Sequence, residues 1–395
     1  VTKRRELSPE SLLLAFAFMM PLVFSVWQVL LNNFAVEMAS FTGREIGILQ
    51  SVREIPGFLA FTVIFVLMVL SEQTLAILSL GIMSAGVAIT GFWPSAMPLY
   101  LTTVLMSVGF HYLETVNQSL TLQWLDKKKS AQFMGKVISV KAVSALLAYG
   151  VVWVLMEKFA VQYKQMYLLA GSFGVLATLV IWFTFPRFKK GETQHKKIVL
   201  KSRYWLYYAL VFCSGARRQI FMVFAGFMMV QKFGYSVGDI SLLFIVNYVI
   251  NMAFGKKIGH FVSKVGERKA LTVEYIGLIL VFGGYAVVTN AHVAAGLYVV
   301  DHLLFAMAIA RKTYFQKIAD PKDLAASSGI SFTIGHIAAV FIPFILGIVW
   351  LKSPFAVFMI GVGFAVTSLM LARLIPDNPA PGRETTLVVP HLQVA

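Results

Sequence analysis

The chain has 395 residues, 58% of them hydrophobic and only 13% charged, with a mean hydropathy of +0.77. That exceeds what a soluble domain of this length needs to fill its core, so the composition excludes a soluble globular protein and points to a bilayer. The net charge of +16 would suit a nucleic-acid binder, but the Lys and Arg residues are placed as a membrane topology requires, and a lone Cys213 inside an apolar stretch excludes a disulfide framework.

Stretches of roughly 20 apolar residues, the length a spanning helix needs, predict spans near residues 12–38, 45–70, 73–92, 97–125, 131–156 and 165–185. A second set follows near 204–231, 237–255, 269–289, 293–318, 325–350 and 354–375. The apolar run after Pro9 reaches about Val36, too long for a signal-peptide core, and no cleavage pattern ends it, so no secretory leader is expected. The expected division is a six-helix bundle over 1–185, a basic cytoplasmic linker over 186–202, a second six-helix bundle over 203–375, and a disordered cytoplasmic tail over 376–395.

The two halves repeat weakly at one offset. Ile46, Leu49, Val52, Asp126, Ala131, Gly135 and Ala145 recur as Ile240, Leu243, Val246, Asp320, Ala325, Gly329 and Ala339, each 194 positions later. Such a repeat in long apolar spans predicts an all-α membrane protein, twelve transmembrane helices in two pseudo-symmetric six-helix bundles, with a substrate path between them. With the N-terminus inside, Lys3, Arg4, Arg5, Lys127, Lys128, Lys129, the linker, Lys256, Lys257, Lys264, Arg268 and Lys269 all fall on the cytoplasmic face. That asymmetry predicts a multi-pass protein of the inner (plasma) membrane with both termini cytoplasmic.

Between the eighth and ninth spans stands Gly259-His-Phe-Val-Ser263-Lys264-Val-Gly266-Glu-Arg268-Lys269. It resembles the loop signature of the major facilitator superfamily (MFS), and the resemblance, with twelve spans and the half-repeat, covers nearly the whole chain. It implies the MFS fold, secondary transport by alternating access, and a cytoplasmic gate loop formed by Gly259, Ser263, Lys264, Gly266, Arg268 and Lys269. Two departures stand out: Ser263 occupies the usual acidic position, and the corresponding first-half loop is reduced to Ser71-Glu72-Gln73. The glycine-rich fifth-helix signature of the family's drug and proton antiporters is also missing between Gly135 and Gly150.

Ionisable residues at bilayer depth are the functional candidates, because each costs roughly 2.5–3.5 kcal/mol to insert without a partner or a water-lined face. Arg217 and Arg218 lie near the middle of the seventh span, Glu114 in the fourth, Lys136 and Lys141 in the fifth, Arg311 and Lys312 in the tenth, His336 in the eleventh, and Arg53 beside Glu54 in the second. His111, Glu114, Gln118 and Thr121 form one polar stripe at helical spacing, and Ser25, Gln28 and Asn32 form another, flanked by Trp27 and Asn33. The resemblance places spans one, four, seven and ten around a central cavity. Seven deep cations face Glu54 and Glu114 at similar depth, with Glu274 and Asp301 read as nearer the span ends, so the cavity is expected to be net positive.

Surplus fixed cations attract anions, and Arg holds a carboxylate or phosphate through two parallel hydrogen bonds. The expected function is therefore secondary transport of a small organic anion coupled to protons. Substrate contacts are assigned to Arg217, Arg218, Arg311, Lys312, Gln28, Asn32, Trp27, Gln118, His336 and Lys141. Consecutive helical residues point about 100° apart, so one of Arg217 and Arg218 is expected to face the cavity and the other to pair inside its bundle or snorkel. Proton coupling is assigned to Glu114, with Glu54, Asp301 and His336 in reserve. The alternative is a proton-driven exporter of amphipathic drugs or lipids, using Glu114 to attract cationic groups and Met and Phe side chains as an adaptable wall. A membrane enzyme is disfavoured: the His111–Glu114 spacing has no further His or Cys cluster beside it. No cofactor, metal or nucleic-acid partner is expected, since no nucleotide-binding segment appears. The partners are a small-molecule substrate, protons and the lipid bilayer, and the default state is a monomer.

Overall fold

The computed structural model describes residues 7–124, 127–188, 200–320 and 324–387. Among them twelve helices are long and apolar enough to cross a membrane: Pro9–Met38, Gly43–Leu67, Glu72–Thr90, Ala96–Thr121, Phe133–Glu157, Tyr163–Thr184, Ser202–Gln231, Val237–Val265, Glu267–Val287, Ala291–Ile318, Ile330–Lys352 and Pro354–Arg373. They are called spans one to twelve below. Their ends follow ordinary capping chemistry. The Ser8 hydroxyl accepts from the Ser11 N–H at 3.2 Å with Pro9 at the first helical position, and Ser353 caps the twelfth span ahead of Pro354.

Four spans are not continuous α-helices, the tenth breaking into a 3-10 turn at Ala306–Ala308. In the second, Pro56 removes a backbone donor, and the helix gives way after Phe58 to a 3-10 turn at Ala60–Thr62 before resuming at Val63. The first and seventh spans, which the half-repeat makes equivalent, each contain a π-helical stretch, Phe34–Met38 and Ile220–Ala225. An apolar run has the same hydropathy whichever hydrogen-bond register it adopts, so these stretches leave no trace in sequence.

The chain forms two compact units. One comprises residues 1–195 with 230–248, the other 196–229 with 249–395. The segment 230–248, which the half-repeat assigns to the second bundle, thus clusters with the first. The reason lies in specific bonds: the Asn33 amide donates to the Tyr235 carbonyl at 2.6 Å, and the Glu157 carboxylate accepts from Ser236 Oγ at 3.0 Å and the Gly238 N–H at 3.1 Å. Within the first unit, span three packs on spans four and six, and span one on five and six; within the second, nine packs on ten and twelve, and seven on eleven and twelve. These four pairings correspond between the units, as duplication requires, whereas the packing of span two on span four has no counterpart of that extent for span eight. Close approach sets span three against its neighbours, because a Cβ on Gly171 would lie 2.2 Å from the Ala88 nitrogen and one on Gly109 2.3 Å from that of Met83.

Two boundary expectations are corrected. The eighth span runs as helix to Val265, so Gly259, Ser263 and Lys264 lie on its last two turns rather than in a loop, Ser263 Oγ donating back to the Gly259 carbonyl at 3.0 Å. No proline interrupts this stretch, and lysines are good helix formers where they can reach water. The turn is confined to Gly266, whose φ of 83° favours glycine, and Lys269 already lies in the ninth span. The tail, expected to be disordered from Pro376, is docked as far as Leu387. Glu384 pairs with Arg203 at 2.8 Å and its carbonyl accepts from the Tyr314 hydroxyl, Asp377 pairs with Arg268 at 3.2 Å, and the Thr386 N–H donates to the Leu374 carbonyl at 2.8 Å. Most of the expected linker lies outside the described residues.

Candidate functional site

Each unit carries its own set of polar groups at membrane depth. In the first, Arg53 pairs with its neighbour Glu54, both largely enclosed, and the Ser107 hydroxyl donates to the Arg53 carbonyl. On the fourth span His111 is buried, whereas Glu114 and Gln118 are exposed and Thr121 is half-buried. Gln28, Asn32 and Lys141 are half-buried, and Lys136 is exposed. Trp27 is corrected: it is 0% exposed, with its ring stacked on Phe24 at 5.7 Å, so it packs the core and offers no surface to a substrate.

The second unit separates the adjacent arginines. Arg217 is 0% exposed, with its guanidinium 3.9 Å from the Glu274 carboxylate and over the Tyr275 ring at 4.4 Å, while Arg218 is exposed near the middle of the seventh span. Arg217, assigned to substrate contact, is thereby corrected to an internal residue in this structure, neutralised by an acid on another span. Glu274 and Asp301, read as nearer the span ends, are fully buried. The ninth helix begins at Glu267, which places Glu274 two turns inside it. Asp301 lies near the end of the helix Ala291–Phe305, which the tenth span continues beyond a 3-10 turn. Arg311 is half-buried and Lys312 exposed. His336 is half-buried, its Nδ1 2.9 Å from the Phe332 carbonyl and its ring 4.1 Å from the Phe332 ring.

A sign asymmetry results. Among the described spanning residues of the second unit, the acids Glu267, Glu274 and Asp301 are all buried, the first of them bonded to Lys317 at 2.7 Å, whereas Arg218 and Lys312 are exposed. A charge held at bilayer depth is costly against hydrocarbon, so the face that carries Arg218 requires water rather than lipid beside it. Glu274 and Tyr275 were absent from the sequence-derived site; an acid inside an apolar span was the available signal, but its depth depended on where the helix began.

Twelve spans in two units, with corresponding helix pairings and charges held at membrane depth, have the architecture of a membrane transporter. The family model of the Major Facilitator Superfamily matches residues 11–343, and the chain belongs to that family. It is similar in fold to a point mutant of the nucleoside transporter NupG, with a TM-score of 0.76 at 15% identity over 93% of this chain and 99% of that one. A bacterial homologue of the human lysosomal transporter Spinster, in an inward-facing and unoccupied conformation, aligns with a TM-score of 0.72 at 14% identity, covering 98% of this chain and 100% of the other. No curated protein sequence matches the chain.

Proposed function

We propose that this transporter moves a small organic anion across the plasma membrane by alternating access, coupled to protons, as a monomer with both termini cytoplasmic. The observation that carries the substrate class is the sign asymmetry of the second unit: its accessible membrane-depth charges are positive and its acids are enclosed. In the second unit Arg218 is the main anchor, with Arg311 and Lys312 as further cations and His336 as a hydrogen-bonding contact; in the first unit the candidate contacts are Lys141, Gln28, Asn32 and Gln118. Glu114, Glu54 and Asp301 are the carboxyls available for proton exchange. A guanidinium in a site of low dielectric binds a carboxylate or phosphate more strongly than it would in water.

Thermal unfolding of the purified protein against carboxylates, phosphate esters, neutral nucleosides and lipophilic cations tests the substrate class. A ligand at 100 times its Kd adds about 2.7 kcal/mol to the folded state. Stabilisation by anions that is lost in Arg218→Gln supports the proposal; stabilisation by nucleosides alone, or by cations alone, overturns it. The second reading, an exporter of amphipathic drugs or lipids, is favoured by one observation, the exposed acid Glu114 on the fourth span. It requires lipophilic cations to stabilise the protein and Glu114→Gln to abolish the effect.

A further inference from the structure

The tenth span is two helices in series. Ala291–Phe305 ends in the 3-10 turn Ala306–Ala308, and a separate half-helix, Ile309–Ile318, completes the crossing. A stretch of 3-10 helix inside a span often marks a hinge, because its hydrogen bonds have poorer geometry and rearrange more readily. The half-helix carries Arg311 and Lys312. Its buried side is formed by Ala310, Tyr314 and Ile318, each 0% exposed, and the exposed Lys312, about 200° round from Ala310, stands on the opposite side. Whatever grips the Tyr314 side therefore decides where the two cations stand.

That side is gripped by the tail. The Tyr314 hydroxyl donates to the Glu384 carbonyl, and the Glu384 carboxylate pairs with Arg203 at 2.8 Å. The same Arg203 nitrogen donates to the Ile318 carbonyl at 3.3 Å, so the bonds close a ring through Tyr314, Glu384, Arg203 and Ile318. The last carbonyls of a helix have no partner within it, and its dipole favours a guanidinium beside them. The remaining ties of the half-helix are few: Phe315 stacks on Tyr207 at 4.1 Å, and Lys317 pairs with Glu267 at 2.7 Å. A helix this short does not hold together by itself, so its place depends on such contacts. The tail's grip is also reversible, since its ion pairs reach water, Arg203 being 38% and Asp377 76% exposed, and pairs in contact with water are weak. We propose that residues 376–387 are the latch of this half-helix, with Tyr314 and Glu384 as positioning residues that set where Arg311 and Lys312 stand. The purpose of the latch rests on the anion reading above; the latch itself needs no particular substrate.

Hydrogen–deuterium exchange of the purified full chain reads the latch. Tyr314→Phe and Glu384→Ala are each expected to speed exchange of the amides of 309–318 at least fivefold while those of 291–305 keep the wild-type rate. Glu384→Gln, which keeps an oxygen for Arg203, is expected to recover most of the protection. Positioning is read with benzoate and phenyl phosphate as probes. Their apparent affinity, from thermal shift, is expected to fall at least fivefold in Tyr314→Phe and Glu384→Ala, whereas a tail that only stabilised the fold would lower the unfolding temperature equally with and without the anion. Exchange over 309–318 unchanged in both variants overturns the inference, as does faster exchange with anion affinity unchanged. Faster exchange in variants of a protein whose wild type responds to neither anion removes the anion reading and keeps the latch; an anion response in wild type with unchanged exchange in both variants does the reverse.

Discussion

On an α-helix consecutive side chains diverge by about 100°, so Arg217 and Arg218 must meet different surroundings, and their exposures show how far the difference goes. Removing Arg217 leaves Glu274 enclosed without its guanidinium, and unpairing a buried charge typically costs about 3–5 kcal/mol. Arg217→Ala is therefore expected to lower the unfolding temperature in detergent markedly. Arg218→Ala should stay within about 1 kcal/mol of wild type in stability and lose its response to anions. Which arginine turned inward could not be read from sequence, because the deciding partner, Glu274, lies on a different span. Gly266 was readable as a turn, and its φ of 83° with ψ of 162°, a region essentially confined to glycine, gives it a test: Gly266→Ala should cost about 1–3 kcal/mol, measured by the same melt.

At the scale of elements, the contact between spans three and six depends on Gly171. Any side chain there must push into the Ala88 backbone, so Gly171→Leu is expected to separate the two helices and to sharply reduce the yield of folded protein, measured by size-exclusion chromatography of detergent extracts. The docked tail makes a second element-level prediction. Glu384→Ala removes the pairing to Arg203, so trypsin should cut after Arg383 several-fold faster than in wild type, and an unchanged rate would show that the remaining bonds suffice. Span number and approximate limits were legible because bilayer thickness sets the length of any apolar helix. The π-helical stretches at Phe34–Met38 and Ile220–Ala225 were not, since they alter hydrogen-bond register without altering composition. The tail was misread because its prolines and charges match a disordered composition, while its order comes from Arg203, Arg268 and Tyr314, at least 100 residues earlier for the two arginines.

For the whole molecule, the half-repeat at an offset of 194 residues anticipated corresponding pairings in each unit, spans three, four and six with one, five and six matching nine, ten and twelve with seven, eleven and twelve. The sequence-level charge count was less faithful. It treated Arg217 as available and Glu274 and Asp301 as peripheral, whereas the structure buries each of the three and pairs Arg217 with Glu274. What survives is a smaller set of accessible cations, Arg218 and Lys312 with the half-buried Arg311 and Lys141, and on these the account of anion transport depends. The most direct measurement is uptake of a stabilising anion into proteoliposomes by wild type and by Arg218→Gln with Lys312→Gln. The account predicts saturable uptake driven by an imposed cation gradient and reduced at least tenfold in the double variant. Uptake of the anion at the wild-type rate by the double variant would contradict it.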